Sequence, residues 1–96
     1  MTTEDANEAA KIVGLNIIAT LKNHLGDLDR VKRIVKLVGF VNCVDDFKEQ
    51  PQVINGCSNL LGEVFGDKGT HARSAVGTNA LPLGVSVEIE AIVEIE

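Results

Sequence analysis

Ninety-six residues and 10.2 kDa allow a single domain spanning residues 1–96, because a chain of this length buries only about two-thirds of its unfolded surface in one core. Fourteen Asp and Glu against nine Lys and Arg leave a formal charge of −5, so no basic field is present to neutralise phosphates, and three Phe with no Trp or Tyr supply almost no stacking platform for bases. Nucleic acid is not an expected partner, and 45% apolar residues exclude disorder.

In chain order, residues 2–25 read as a helix. Thr2 or Thr3 caps it, Glu4 and Asp5 favour its positive end, and Gly26 stops it. Its apolar stripe is Ala10, Val13, Ile17, Leu21 and Leu25, with His24 a surface group in the last turn. Val31 to Asn42 is rich in β-branched residues and apolar on both alternations, as expected of a central strand covered on both faces. Its predicted inner row is Val31, Arg33, Val35, Leu37, Gly39 and Val41, and the second face, charged at Lys32 and Lys36, is expected to meet another subunit or a wet cavity. Pro51 suits the first turn of a second helix whose apolar face is Val53, Ile54, Leu60, Leu61, Val64 and Phe65, ended by Gly66 and Gly69.

Residues 72–78 then form a short strand, and Asn79 to Gly84 a loop around Pro82. The last strand alternates cleanly, Val85, Val87, Ile89, Ala91, Val93 and Ile95 against a row carrying Glu88, Glu90, Glu94 and Glu96. The order αβαββ gives an α/β sandwich with two helices on one face of the sheet. Two helices over three strands leave one face bare and two edges open, which points to a homo-oligomer or to missing front strands.

Cys43 and Cys57 form no CxxC pair and read as buried thiols; no metal-ligand spacing, Gly-rich phosphate loop or serine-hydrolase motif occurs. No apolar run is long enough to span a membrane and the first residues are acidic, so the expected setting is cytoplasmic, with no membrane partner, metal or cofactor. Arg73, flanked by small residues in Thr70-His71-Ala72-Arg73-Ser74, has room to grip a carboxylate with two parallel N–H donors; the alternative is an ion pair with a C-terminal glutamate. A simple hairpin would set Arg73 opposite Glu88, and a carboxylate beside an arginine in a dry cleft can order a water or move a proton. His71 reads as a hydrogen-bonded loop residue.

The run HARSAVGTNALPLGVSVEIEAIVEI, from His71 to Ile95, resembles the C-terminal signature of the Rid family of reactive-intermediate imine and enamine deaminases (RidA), also called the YjgF or endoribonuclease L-PSP family. Leu15 to Phe47 looks like the same family's helix and first core strand, and Gln52 to Ser58 like a divergent branch of it. The resemblance implies a chorismate-mutase-like mixed sheet, a homotrimer with clefts between subunits, and no cofactor. It implies a hydrolase that takes 2-imino acids of the 2-aminoacrylate type to 2-keto acids and ammonia. Arg73 matches the carboxylate-binding arginine and Glu88 the residue that positions water, while Ser74 and Ala75 line the substrate side; Ala75 stands where many members have Cys. Asn55 falls near the helical asparagine, with Ser58 an alternative at that place. In that fold Arg73 and Glu88 need not be hairpin partners, and members begin with further strands than this chain carries. A non-catalytic 2-keto-acid-binding module of the same fold is the competing expectation; the RNA cleavage in the family's older name fits poorly with the acidic charge.

Overall fold

The computed structural model describes residues 2–96. Helix α1 runs Thr3–Leu25, strand β1 Val31–Asn42, helix α2 Gln50–Phe65, strand β2 Ala72–Thr78 and strand β3 Val87–Ile95. The α1 boundaries follow from chemistry legible in the residues: the Thr2 hydroxyl accepts from the Asp5 N–H, the Asp5 carboxylate accepts from the Thr2 N–H, and Gly26 takes φ 82 past the last turn. Pro51 sits in the first turn of α2, where its missing N–H costs nothing.

The sheet order is β2-β1-β3, with β1 parallel to β2 and antiparallel to β3. A parallel pair needs a crossover, and α2 supplies it. The hairpin expected between β2 and β3 does not form, because β1 lies between them. The final strand also starts later than expected, at Val87, since Pro82–Gly84 forms a 3-10 turn in which Leu83 takes φ 59. The inner row expected for β1 is broken too: register shifts between Val31 and Arg33 and between Ile34 and Lys36 turn Arg33 outward and bring Ile34 into the core.

Both helices cover one face only. Val31, Ile34, Leu37 and Val41 pack against Val53, Ile54, Cys57 and Leu61 of α2 and Ala6 and Ala10 of α1. Val64, expected in this face, is 44% exposed, although Phe65 next to it still packs against the core. The other face, presenting Lys36, Val38 and Phe40 from β1, Ser74 and Val76 from β2 and Glu88, Glu90 and Ile92 from β3, has no covering element among the described residues. Ile92 is 59% exposed there. The expectation that β1 is covered on both faces is therefore not met within one chain, since both helices lie on the side of Leu37 and Val41.

The helices approach closely through small residues. A Cβ on Gly14 would lie 3.1 Å from Leu60 Cδ2, and one on Gly56 would collide with the Asn7 carbonyl oxygen. Backbone cannot yield as a flexible side chain can. Gly56→Ala is therefore expected to destabilise the fold by about 1–3 kcal/mol, whereas Gly62→Ala on the same helix, with nothing near its Cβ, should stabilise it by about 0.5–1 kcal/mol; urea unfolding separates the two.

Burial pushes the Cys57 thiol from 9.0 up to about 11, while Cys43 is only half-buried. The unfolded chain then ionises this thiol first, so its contribution to stability is intact below pH 9.0 and is lost as pH rises toward about 11. In the native protein at neutral pH a thiol reagent should modify Cys43, and Cys57 only on unfolding.

Candidate carboxylate site on the edge strand

Strand β2 follows α2 by a short turn, and its pairing with β1 decides where its side chains point. Arg73 pairs with Leu37, Ala75 with Gly39 and Gly77 with Val41, so all three face the helix side of the sheet. Arg73 there meets α2: Nη1 donates to the Ser58 hydroxyl at 3.1 Å and Nη2 to the Pro51 carbonyl at 3.3 Å. A guanidinium carries five N–H donors, so three remain for a ligand beyond these two bonds. The ion pair with a C-terminal glutamate is not formed; the glutamate that does pair with an arginine is Glu94, with Arg33 at 3.0 Å on the open face.

Ser58 continues the network. Its hydroxyl lies 2.9 Å from His71 Nε2, and His71 Nδ1 lies 2.6 Å from the Gly69 carbonyl. A carbonyl only accepts, so Nδ1 carries a proton in every protonation state of this arrangement. In the neutral ring Nε2 accepts from the Ser58 hydroxyl, whose free lone pair accepts from Arg73. His71 thus belongs to a half-buried chain of bonds running from the Gly69 backbone to the guanidinium.

The remaining sequence candidates fall in three places. Asn55 lies between Pro51 and Ser58 at spacings of four and three, on the helix face that meets Arg73. Ala75 packs half-buried on the core side next to Gly39, and Ser74 points to the open face. Glu88 pairs with Phe40 on that same open face, opposite to Arg73. Three residues of strand rise and two strand spacings put their Cα atoms about 14 Å apart, with side chains directed away from each other. One chain therefore brings Arg73 to Ser58 and, through it, to His71, with Asn55 on the same helix face, and does not bring it to Glu88.

Ser58 is the alternative to Asn55 in the residue pattern and His71 reads there as a hydrogen-bonded loop residue, which it is; what residue patterns do not show is the bond that joins the two. A Ser and a His separated by a helix end and a turn have no spacing signature; only the parallel return of β2 alongside α2 joins them. A half-open cavity of about 470 Å³ lies further along, at the C-terminal ends of β1 and β2, lined by Cys43, Val44, Asp45, Gln50, Gly77, Thr78 and Asn79. Its lining includes neither Arg73 nor Glu88.

A model of the family described as "YjgF/chorismate mutase-like, putative endoribonuclease" matches residues 1–94. The chain belongs to the YjgF family. This YjgF chain is 47% identical over 96 residues to Protein TCP17 of Trypanosoma cruzi, covering 99% of itself and 60% of that relative. It is 37% identical over 81 residues to a protein of Lactococcus lactis named "Putative regulator AldR", covering 84% of itself and 56% of that relative. Among solved structures it superposes on Atu1372 of Agrobacterium tumefaciens, a protein of unknown function, with TM-score 0.97 and 49% identity, covering 100% of itself and 63% of that chain. A Shewanella oneidensis protein titled a putative endoribonuclease gives TM-score 0.94 and 33% identity, covering 99% of the chain and 63% of its own length. The YjgF chain thus spans about three-fifths of these relatives. The mixed sheet with two helices on one face agrees with the chorismate-mutase-like fold of the family.

Proposed function

We propose that this YjgF-family chain binds small 2-keto or 2-imino carboxylates through Arg73 and, in an oligomer, hydrolyses 2-imino acids to 2-keto acids and ammonia. The observation that carries the reading is the Arg73 guanidinium, fixed on its α2 side by Ser58 and Pro51 with donors left over for a carboxylate. Glu88 is the carboxylate that would order the attacking water. It lies on the opposite face from Arg73, so one working site takes Arg73 from one copy and Glu88 from another. The bare face with Ile92, Phe40 and Val76 supports assembly through copies of the same chain, in a homotrimer with clefts between subunits. Asn55 would face the same ligand from α2 and Ala75 would flank it on β2, while Ser74, on the open face, would reach a ligand only from the copy that supplies Glu88.

The chemistry asked of these groups needs no covalent step with protein. Water adds to the imine carbon while Glu88 relays one of its protons to the imine nitrogen; the remaining hydroxyl proton then passes to nitrogen as the C–N bond breaks, which leaves the keto C=O and releases ammonia. Arg73 holds the carboxylate and so fixes the imine carbon in front of the water. Two free thiols and no helix long and apolar enough to cross a membrane among the described residues are compatible with a cytoplasmic setting.

A second reading, a binding module without turnover, is favoured by the same separation of Arg73 from Glu88 if copies do not complete each other's sites. RNA cleavage, suggested by the name of the Shewanella protein, meets a chain of charge −5 and is the weakest of the three.

Ammonia and keto-acid release from enzymatically generated 2-iminobutanoate tests the proposal. Arg73→Ala is expected to lower the rate at least about 100-fold, and Glu88→Gln by a similar factor, with 2-oxobutanoate binding lost only in the first. Wild-type turnover in Arg73→Ala overturns the reading, and carboxylate binding without turnover in the wild type establishes the binding module. Co-refolding Arg73→Ala with Glu88→Gln distinguishes the assembly: mixed oligomers should regain activity that neither variant has alone, and none is regained if both residues must come from one chain.

A further inference from the structure

We infer that His71, acting through Ser58, sets how tightly the Arg73 clamp holds a small carboxylate, strengthening the hold when the imidazole takes up a proton. This deepens the carboxylate-binding reading of Arg73 and rests on it. The bond from His71 Nδ1 to the Gly69 carbonyl at 2.6 Å persists in both ring states, because the carbonyl needs a donor and Nδ1 supplies one in each. Protonation therefore changes only Nε2, which lies 2.9 Å from the Ser58 hydroxyl. With the ring neutral, the hydroxyl proton is committed to Nε2. With the ring charged, Nε2–H donates to Ser58 Oγ, which already accepts from Arg73 Nη1 at 3.1 Å, and the hydroxyl proton is released to a ligand atom or a bridging water.

The same event places two cations on either side of one oxygen. Without an anion this is unfavourable; with a carboxylate on Arg73 it becomes favourable, so ligand binding and proton uptake promote each other by the same factor. The charged groups around the ring are few. Helix α2 carries only Glu63, exposed and five positions past Ser58; the turn before β2 carries exposed Asp67 and Lys68; and Lys36 of β1 pairs with Ala72 on the opposite face of the sheet. Arg73 is the charged side chain that shares a hydrogen-bond partner with the ring.

His71 is thus a positioning residue, and its signature is a pH profile. The probe is 2-oxobutanoate, whose carboxylate stays ionised throughout, bound by the full chain and followed by calorimetry. Its affinity for the wild type is expected to rise about tenfold on going from about pH 8 to about pH 5.5. His71→Asn keeps a donor for the Gly69 carbonyl and removes Nε2, so its affinity should stay near the wild-type value of the higher pH and show a flat profile. A His71→Asn variant with the wild-type profile, or a flat wild-type profile, overturns the inference and leaves Arg73 as the clamp. Unchanged binding by Arg73→Ala overturns the carboxylate reading itself, a different result. Ring-nitrogen NMR of the unliganded wild type at about pH 8 gives a test that needs no variant: the Nδ1–H tautomer is expected. The Nε2–H tautomer contradicts the bond chain and overturns the inference.

Discussion

β1 pairs in parallel with β2 on one side and antiparallel with β3 on the other, and this single ordering determines what the chain can do chemically. Because β2 returns by way of α2, its inward side chains arrive beneath the helix they follow, and Arg73 finds its acceptors there. Because β3 returns in the opposite direction with Val87 facing the core, Glu88 is turned to the other face. Had β2 and β3 formed a hairpin, the guanidinium and the carboxylate would have neutralised each other as a plain ion pair. Placing β1 between them leaves the guanidinium bonded to α2 and the carboxylate on the open face, with no ion pair between the two.

Helix α2 serves two faces at once. Val53, Ile54, Cys57 and Leu61 hold it in the core, while Pro51, Asn55 and Ser58 line the side toward the edge strand. The guanidinium is therefore held, through two hydrogen bonds, by a helix whose other side is packed in the core. Its outward side lies on a sheet edge, where a ligand or another copy can reach it. The close contact of Gly56 with the Asn7 backbone fixes α2 against α1 and hence, indirectly, the position of Ser58.

Much of this was readable from residue order. The helix ends at Thr2 and Gly26, the start of α2 at Pro51, and the alternation of the last strand each follow from local rules and hold in the structure. The inner row of β1 departs from simple alternation because two register shifts leave no mark on an apolar, β-branched run. Strand order was open because a loop of turn residues permits a hairpin as readily as a crossing over a third strand. Arg73 and Glu88 could be singled out by type and by family pattern, but their opposite faces could not, and the Ser58–His71 connection depends on tertiary approach alone.

The outer edge of β3 carries no neighbouring strand among the described residues, and its free backbone groups would template other chains were they flat and apolar. Glu88, Glu90 and Glu94 line one row of that edge strand, so two copies laid edge to edge in register would confront carboxylate with carboxylate. Stacking of like strands into fibrils is opposed by the same acidic row, whereas a partner strand of different sequence or opposite charge is not.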